Sequence, residues 1–540
     1  MGRGRWNVRD PTIIVQLVRV ARSGASLRPL RRYCRFTGTA QADATEGTSL
    51  NSDLAQRVGP RLSPDPRRVL GQLFVPGEES AHGRSRAASV LDRLLALDET
   101  EVTRTLAALL ASFAARHDDF AEVLLDHFRV ATHGMSEVDS LSRDRQLLIG
   151  ACFTSEYSAE STALFNPSIA AHPDQSGLGP DELRFVMTVR CLGEGHISSI
   201  GFRTGVIGPA GSLTVDEPTP HLSTGRTEDV PYPRAMFVGR MADFGVDRET
   251  IEAISNELPD LFSDEQLTAA IDQLHEHSRQ REPVQRAIAT ARGIAESRYA
   301  RSFAPEIELS GRLLWPGSAA ERHGMEDARL VRFTDDDGSV TYSATYTAYD
   351  GAGVWTHFWQ TTDFRRFAIT ALAGKAARNK GLALFPRRIH GRYMALSRWD
   401  RESLAIAASD DLYVWEQPES LYAPRYGWEA IQLGNGGSPI ETPDGWLVLT
   451  HGVGPMRVYA LGALLLDLDD PRRVIRVLPT PFLTPDEDER EGYVPNVVYT
   501  CGALLHDGVL TVPYGISDTA TGFAQIALSD LLDRMVDAAG

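Results

Sequence analysis

The chain has 540 residues, more than one ordinary domain uses and enough for two or three. Hydrophobic residues make up 42% and charged residues 24%, the balance of a water-soluble globular protein. A net charge of −17 argues against a sequence-independent grip on nucleic acid and against a general binder of anionic membranes, while a local basic pocket for one phosphate group stays open.

Residues 1–36 carry nine arginines and a single acid, Asp10. The apolar stretch at 12–18 is too short and interrupted for a secretory signal. Transit peptides share the Arg-rich, acid-poor character, but a flexible extension or a start codon set too early fits better. Residues 37–66 are rich in Thr, Ser, Ala, Gly and Asp and are expected to be disordered, so that 1–70 as a whole reads as an extension. Cys34, Cys152, Cys191 and Cys501 form no CxxC pair, which points to a reduced, cytoplasmic protein without structural zinc. No apolar run reaches the about 18 residues of a membrane span.

Residues 71–158 read as a helical region. Ala88, Val90, Leu91, Leu94, Leu95 and Leu97 leave a broad apolar face, and Leu106, Leu109, Leu110 and Phe113 keep helical spacing after Asp98-Glu99-Thr100. Phe120, Val123, Leu124, Leu125 and Phe128 continue it. From about residue 160 short strands and turns take over, as in the alternating stretch 183–190. A helical insertion is expected at about 245–303, with Ser263, Glu265 and Gln266 as a helix start. After 306 the chain is strand-rich nearly to the end.

The run Gly324-Met325-Glu326-Asp327-Ala328-Arg329 sets two carboxylates and an arginine just before an expected strand at Leu330-Val331-Arg332-Phe333. Charge at a strand mouth is costly unless it is hydrogen-bonded or used. Arg329 can pin one carboxylate while the other moves a proton; the same six residues also fit a solvated turn. A weak repeat follows: Asp363, Phe364 and Phe367 align with Asp411, Leu412 and Trp415 at a period of 48 residues. That length is near one four-stranded propeller blade, and residues 159–540, less the insertion, have room for about five.

Further segments stand in order: Asn379-Lys380-Gly381-Leu382-Ala383-Leu384-Phe385-Pro386, Gly391-Arg392-Tyr393 through Arg398, Gly434-Asn435-Gly436-Gly437-Ser438-Pro439, Gly445-Trp446 through His451-Gly452, Pro495-Asn496 through Gly502, and Tyr514-Gly515-Ile516-Ser517-Asp518-Thr519. With the run at 324–329 they resemble glycoside hydrolase family 130, the β-mannoside phosphorylases and related β-mannosidases, over about 160–540. The resemblance implies a mainly β fold, a five-bladed β-propeller with its active site in the central depression, here with N-terminal helices and a helical insertion. It does not cover the N-terminal helices, which either cover a propeller edge or mediate self-association.

Carried over residue by residue, Asp327 matches the family's general acid, thought to act through a sugar hydroxyl. Ala328 stands where the pattern has proline. Asn166, Ser168, Arg190, Glu326 and Asp518 match sugar-binding positions, and Arg190 with Ser199 matches the strand pair that follows the segment of Asn166 and Ser168. Lys380, Arg398, Gln432 and His451 match phosphate-contacting positions, although Gln432 replaces a usual lysine and loses its charge. Phosphate-binding requires fixed cations and donors, for which arginine's planar fork is best suited. The residues alone leave room for simpler roles: Asn166-Pro167 a turn, Asp518 a turn cap, Arg398 a partner of a core carboxylate, His451 a satisfied histidine. Tyr346, Tyr349, Trp355 and Trp359 fit either sugar stacking or blade core.

The function implied is an inverting phosphorolysis of a β-linked mannoside or manno-oligosaccharide to α-mannose 1-phosphate, with inorganic phosphate as co-substrate and no cofactor or metal. An inverting β-mannosidase is the alternative and would need a second carboxylate about 6.5–9.5 Å from the first, for which Glu429 and Glu441 lie in the right segment. A non-catalytic glycan-binding propeller is a third reading. No Gly-rich nucleotide loop and no His-x-x-x-His pair near carboxylates is present.

Overall fold

The computed structural model describes residues 54–77, 85–133, 135, 138–274 and 281–538. The arginine-rich stretch at 1–36 and most of the segment expected to be disordered lie outside them. Helices form at Arg86–Leu95, Glu99–Phe113 and Phe120–Ala131, where the apolar spacing predicts them. Asp98 caps the second, its carboxylate accepting the Glu101 N–H at 2.9 Å. A further helix, Arg143–Cys152, gathers its charged residues in the first turn and its apolar ones in one unbroken run, and so carries little periodic signal. Leu91, Leu94, Val102, Phe128, Leu148, Ile149 and Phe153 close one core among these helices. Gly150 lets two of them touch: a Cβ there would fall 1.8 Å from the Leu124 carbonyl oxygen.

The reading of 1–70 as an unstructured extension needs correction from residue 56 onward. Gln56–Leu62 is a strand paired antiparallel with Ala520–Ala527, and Val69–Leu73 pairs with Thr154–Ser158. Neither has a strong pattern of its own; each takes its order from a partner remote in sequence. Arg57 donates to Glu489 at 3.1 and 2.7 Å. Arg68 donates to Glu160 at 3.1 Å, and Arg203 grips both oxygens of the same carboxylate at 2.9 and 2.8 Å, all three side chains buried. Composition cannot register such long-range partners.

Past residue 160 the strands form antiparallel groups in chain order. Ala163–Ala171, Leu183–Leu192 and Ser198–Ile207 make the first. Gly324–Thr334, Val340–Tyr349, Val354–Thr361 and Arg366–Ala371 make the second, joined to the first by a single parallel bridge from Gly324 to Ser198. Ala383–Leu384, Tyr393–Ser397, Leu404–Ser409 and Glu419–Tyr422 follow. Then come Gln432–Asn435, Gly445–Val453, Tyr459–Leu466 and Val474–Val477. Last are Val498–Tyr499, Val509–Ile516 and Ala520–Ala527, with Gln56–Leu62 on the outside.

The 48-residue repeat has a structural cause. Thr361 and Ser409 each end the third strand of a group. The Thr361 hydroxyl accepts the Phe364 N–H at 2.8 Å, and the Ser409 hydroxyl accepts the Asp411 N–H at 3.1 Å. Asp363 and Asp411 then accept from backbone N–H groups two residues on, at 2.8 and 2.7 Å. The turn is an Asx-type link to the outermost strand, and it drops Phe364, Phe367 and Trp415 into the core.

The helical insertion comprises Arg234–Asp243, Arg248–Ser255, Asp264–Gln273 and Glu282–Ala295, and so begins about ten residues earlier than expected. Pro231 and Pro233 disguise that first helix, because Pro233 sits at its N-cap rather than ending it. The capping box at Ser263 and Gln266 forms, with bonds of 3.3 and 2.9 Å. Among the described residues no helix is long and apolar enough to cross a membrane.

Candidate active site

Two β-bulges build the site. The register of Gly324–Thr334 against Val340–Tyr349 slips between Glu326 and Arg329, and that of Ala163–Ala171 against Leu183–Leu192 slips between Phe165 and Ser168. The slips release Asp327 and Asn166, whose φ angles are 55° and 48°. Left-handed backbone at a residue with a side chain costs on the order of 1–3 kcal/mol and persists where its surroundings enforce it. Here the two strained residues meet: Asn166 Nδ2 donates to Asp327 Oδ1 at 2.8 Å. The run at 324–329 is therefore a bent strand rather than a turn before one.

The charges are shared differently from the expected pinning by Arg329. Arg190 Nη2 donates to Glu326 Oε1 at 2.7 Å, and its Nη1 lies 3.3 Å from Asp327 Oδ1. Its Nε donates to Ser198 Oγ at 2.8 Å, and Ser198 thus orients it. Lys380 Nζ donates to the other Glu326 oxygen at 2.7 Å. Arg329 instead donates to the Asp327 backbone carbonyl at 3.1 Å and to the Tyr499 hydroxyl at 2.7 Å. Glu326 is thus the pinned carboxylate.

A cavity of about 570 Å³ opens above these groups. Asn166, Arg190, Asp327, Lys380, Arg398, Gln432, His451 and Asp518 all line it. Glu326 stands just behind, between Arg190 and Lys380. Ser168 does not reach the cavity; its hydroxyl is buried and accepts the Leu330 N–H at 2.9 Å, tying the two bulged strands together. Asp518 sits with Ser517 in the turn between Val509–Ile516 and Ala520–Ala527, at φ 50° and 44°.

Electrostatics separate the two cavity aspartates. Burial pushes Asp327 up, but Arg190, Lys380 and Arg329, with the Asn166 hydrogen bond, outweigh it and hold the carboxyl at about 2. Burial, reinforced by Asp327, pushes Asp518 up to about 6, with Arg190 offsetting part of the rise. Burial and the neighbouring Arg398 and Arg329 push His451 well below the usual histidine range, so it is neutral, not the cation the sequence allowed. His451 Nε2 accepts from Arg398 Nη1 at 3.1 Å. Burial pushes Arg398 down, and its Nε is enclosed without a partner. Among the described residues no carboxylate pairs with it, which removes the core-pair reading.

Gly434 makes the Arg398–His451 contact possible. A Cβ there would come within 2.4 Å of Arg398 Cδ and 2.6 Å of His451 Cε1. Arg401, Arg457, Tyr459 and Tyr499 also line the cavity and were not singled out by the sequence. Arg401 and Arg457 lie in hairpin turns, where charge ordinarily means solvent; only the turn signals Gly454-Pro455 and Asp400-Arg401 hint at them. The proposed aromatic platforms lie elsewhere. Tyr346 and Trp359 are core residues, Trp355 packs on Phe244 and Arg240, and Tyr349 packs on His323. Neither candidate base is available either. Glu429 caps a turn by accepting the Arg425 and Tyr426 N–H groups at 2.5 and 2.9 Å, and Glu441 is held by Arg387 at 2.8 and 2.7 Å. Among the described residues no cluster of three or more His, Cys, Asp or Glu could hold a metal.

Residues 300–537 match a family model described as glycoside hydrolase family 130, β-1,4-mannooligosaccharide phosphorylase. A 1,2-β-oligomannan phosphorylase of Thermoanaerobacter sp. (strain X514) is 42% identical over 155 residues, which cover 28% of this chain and 52% of that protein. A β-1,2-mannobiose phosphorylase of the same organism is 35% identical over 216 residues, 38% of this chain and 68% of that protein. A solved structure of a β-1,2-mannobiose phosphorylase from Listeria innocua with β-1,2-mannobiose aligns over 70% of this chain and 92% of its own, at 23% identity and a TM-score of 0.42. The chain thus spans about half to two thirds of the length of the curated relatives it matches. On the family model and the second of these relatives, the chain belongs to glycoside hydrolase family 130.

Proposed function

We propose that the chain is an inverting phosphorylase that cleaves β-mannosides with inorganic phosphate to give α-mannose 1-phosphate. The strand groups are read as five propeller blades, because the innermost strand of each group, or the loop entering it, supplies cavity residues: Asn166, Asp327, Lys380, Gln432 and Tyr499.

The observation that carries the reading is Arg398. A guanidinium with an enclosed, unpartnered Nε and no carboxylate is costly unless an anion joins it. Lys380 lines the same cavity, and neutral His451 fixes the guanidinium's direction. Phosphate held there attacks the anomeric carbon as the bond to the leaving sugar breaks. The glycosidic oxygen takes a proton from a sugar hydroxyl, and Asp327 replaces it. In the empty cavity Asp327 is ionised. A dianion beside Lys380 and Arg398 cancels part of the field that keeps it so, and restores its affinity for the proton it must give.

Hydrolysis is the second reading, favoured by the neutral Gln432. It would require Asp518 as the base, since Glu429 and Glu441 are bonded elsewhere. The test is incubation with β-1,2- and β-1,4-linked mannosides, with and without phosphate, following mannose and mannose 1-phosphate. Mannose 1-phosphate formed only with phosphate supports phosphorolysis; free mannose in both tubes refutes it. Turnover lost in Asp327→Asn would dispose of a purely glycan-binding role.

A further inference from the structure

Three hairpin turns of this chain share one shape. Each follows a glycine (Gly193, Gly208 or Gly454) whose N–H closes on a carbonyl four residues later, at 3.2, 2.8 and 3.0 Å. In each, two successive residues adopt left-handed backbone. Two of the turns use glycine for one of the pair, Gly195 with His196 and Ala210 with Gly211. The third uses none: Met456 and Arg457 stand at φ 58° and 55°, a region that residues with side chains rarely enter. This turn follows Val453, which pairs directly with Gln432, and both Arg457 and Gln432 line the candidate active site. Arg457 is exposed, and among the described residues its guanidinium meets no carboxylate.

From this geometry we infer that Arg457 is a phosphate-binding residue: it supplies, from the neighbouring turn, the positive charge that the uncharged Gln432 does not. The inference rests on the phosphorolytic reading above. Arg457 lines the same cavity as Gln432 and Arg398, so its guanidinium can serve an anion there without a lysine on the strand. A charge-assisted, forked contact to an anion is the interaction arginine makes best. The oxygen atoms it holds belong to inorganic phosphate in the forward reaction and to the phosphoryl group of α-mannose 1-phosphate in reverse, so both should depend on it alike.

The experiment measures KM for phosphate, mannoside and α-mannose 1-phosphate in the wild type, Arg457→Met and the double variant Gln432→Lys/Arg457→Met. Loss of one such contact raises KM for both phosphate compounds about tenfold in Arg457→Met, with mannoside KM unchanged. The double variant recovers most of that loss, because the lysine returns the charge. Unchanged phosphate KM in Arg457→Met overturns the inference, as does an equal rise in mannoside KM or failure of the lysine to restore. A wild-type enzyme that releases only free mannose would instead overturn the phosphorolytic reading itself.

Discussion

Replacing Asp518 by asparagine should stabilise this protein while crippling it. The carboxyl of Asp518 is held at about 6, against 3.8 for an ordinary aspartate, by burial and by Asp327 and Glu326 beside it. A folded-state value above the unfolded one means that the folded protein binds the proton more tightly. Stability is then highest below the unfolded value and is lost as pH rises from about 4 through about 6. At 1.36 kcal/mol per decade, the full loss approaches ~3 kcal/mol above pH 7. Asp518 is partly open to the cavity, so solvent screening reduces this to roughly 1–2 kcal/mol. Asparagine keeps the shape and removes the charge. Urea unfolding of Asp518→Asn should therefore exceed wild type by about that amount at pH 8, and the gap should shrink by about half at pH 5, where the wild-type carboxyl is mostly protonated. Asp327 does not confuse the measurement. Its carboxyl is held at about 2, so its stabilisation is present above 3.8 and is lost only as pH falls below about 4. An asparagine variant that is less stable than wild type at pH 8, or equally stabilised at both pH values, would refute the repulsion argument.

Other substitutions separate the roles. Asp327→Asn should lower kcat about 10²–10⁴-fold in single-turnover kinetics, and it should also lower the unfolding midpoint at neutral pH, because the carboxylate that Arg190, Lys380 and Arg329 stabilise is lost. Saturating phosphate, at about 100 times its dissociation constant, should stabilise the wild type by about 2.7 kcal/mol in thermal unfolding, and Arg398→Met should abolish that increment. Gly434→Ala drives a methyl group into Arg398 and His451, so its phosphate KM should rise while the fold, followed by circular dichroism, survives. Glu160→Ala leaves Arg68 and Arg203 facing each other without their shared carboxylate and should cost about 3–5 kcal/mol of stability in urea unfolding.

Where a signal was local, it could be read from the chain. The helical spacing at 86–128, the capping box at Ser263 and the 48-residue repeat all come from contacts within a few residues, and each has its counterpart in the fold. Resemblance carried the cavity residues further than periodicity could, because Asp327, Lys380 and Arg398 look like ordinary surface charges until the sheets converge. What escaped depends on distant partners. Gln56–Leu62 is a strand only because Ala520–Ala527 lies beside it. Ser168 matched a binding pattern, but the bulge at Asn166 turns its hydroxyl to the Leu330 N–H. Arg401 and Arg457 occupy turns, and only the cavity distinguishes them from solvated charges.

The distribution of charge around the cavity argues for an anion more strongly than any single position does. Arg190 and Lys380 are matched against Glu326 and Asp327. Arg329 is taken up by a backbone carbonyl and the Tyr499 hydroxyl. Arg398 and Arg401 remain, their side chains bonded to His451 and to Asn379, and so does Arg457, whose guanidinium meets no carboxylate among the described residues. Three guanidiniums without a carboxylate line one cavity in a protein of net charge −17, and an anion bound there would relieve their mutual repulsion. If Arg457 plays the role proposed above, the neutral Gln432 ceases to favour hydrolysis, because the charge missing from its strand is supplied from the turn that follows the strand paired with it.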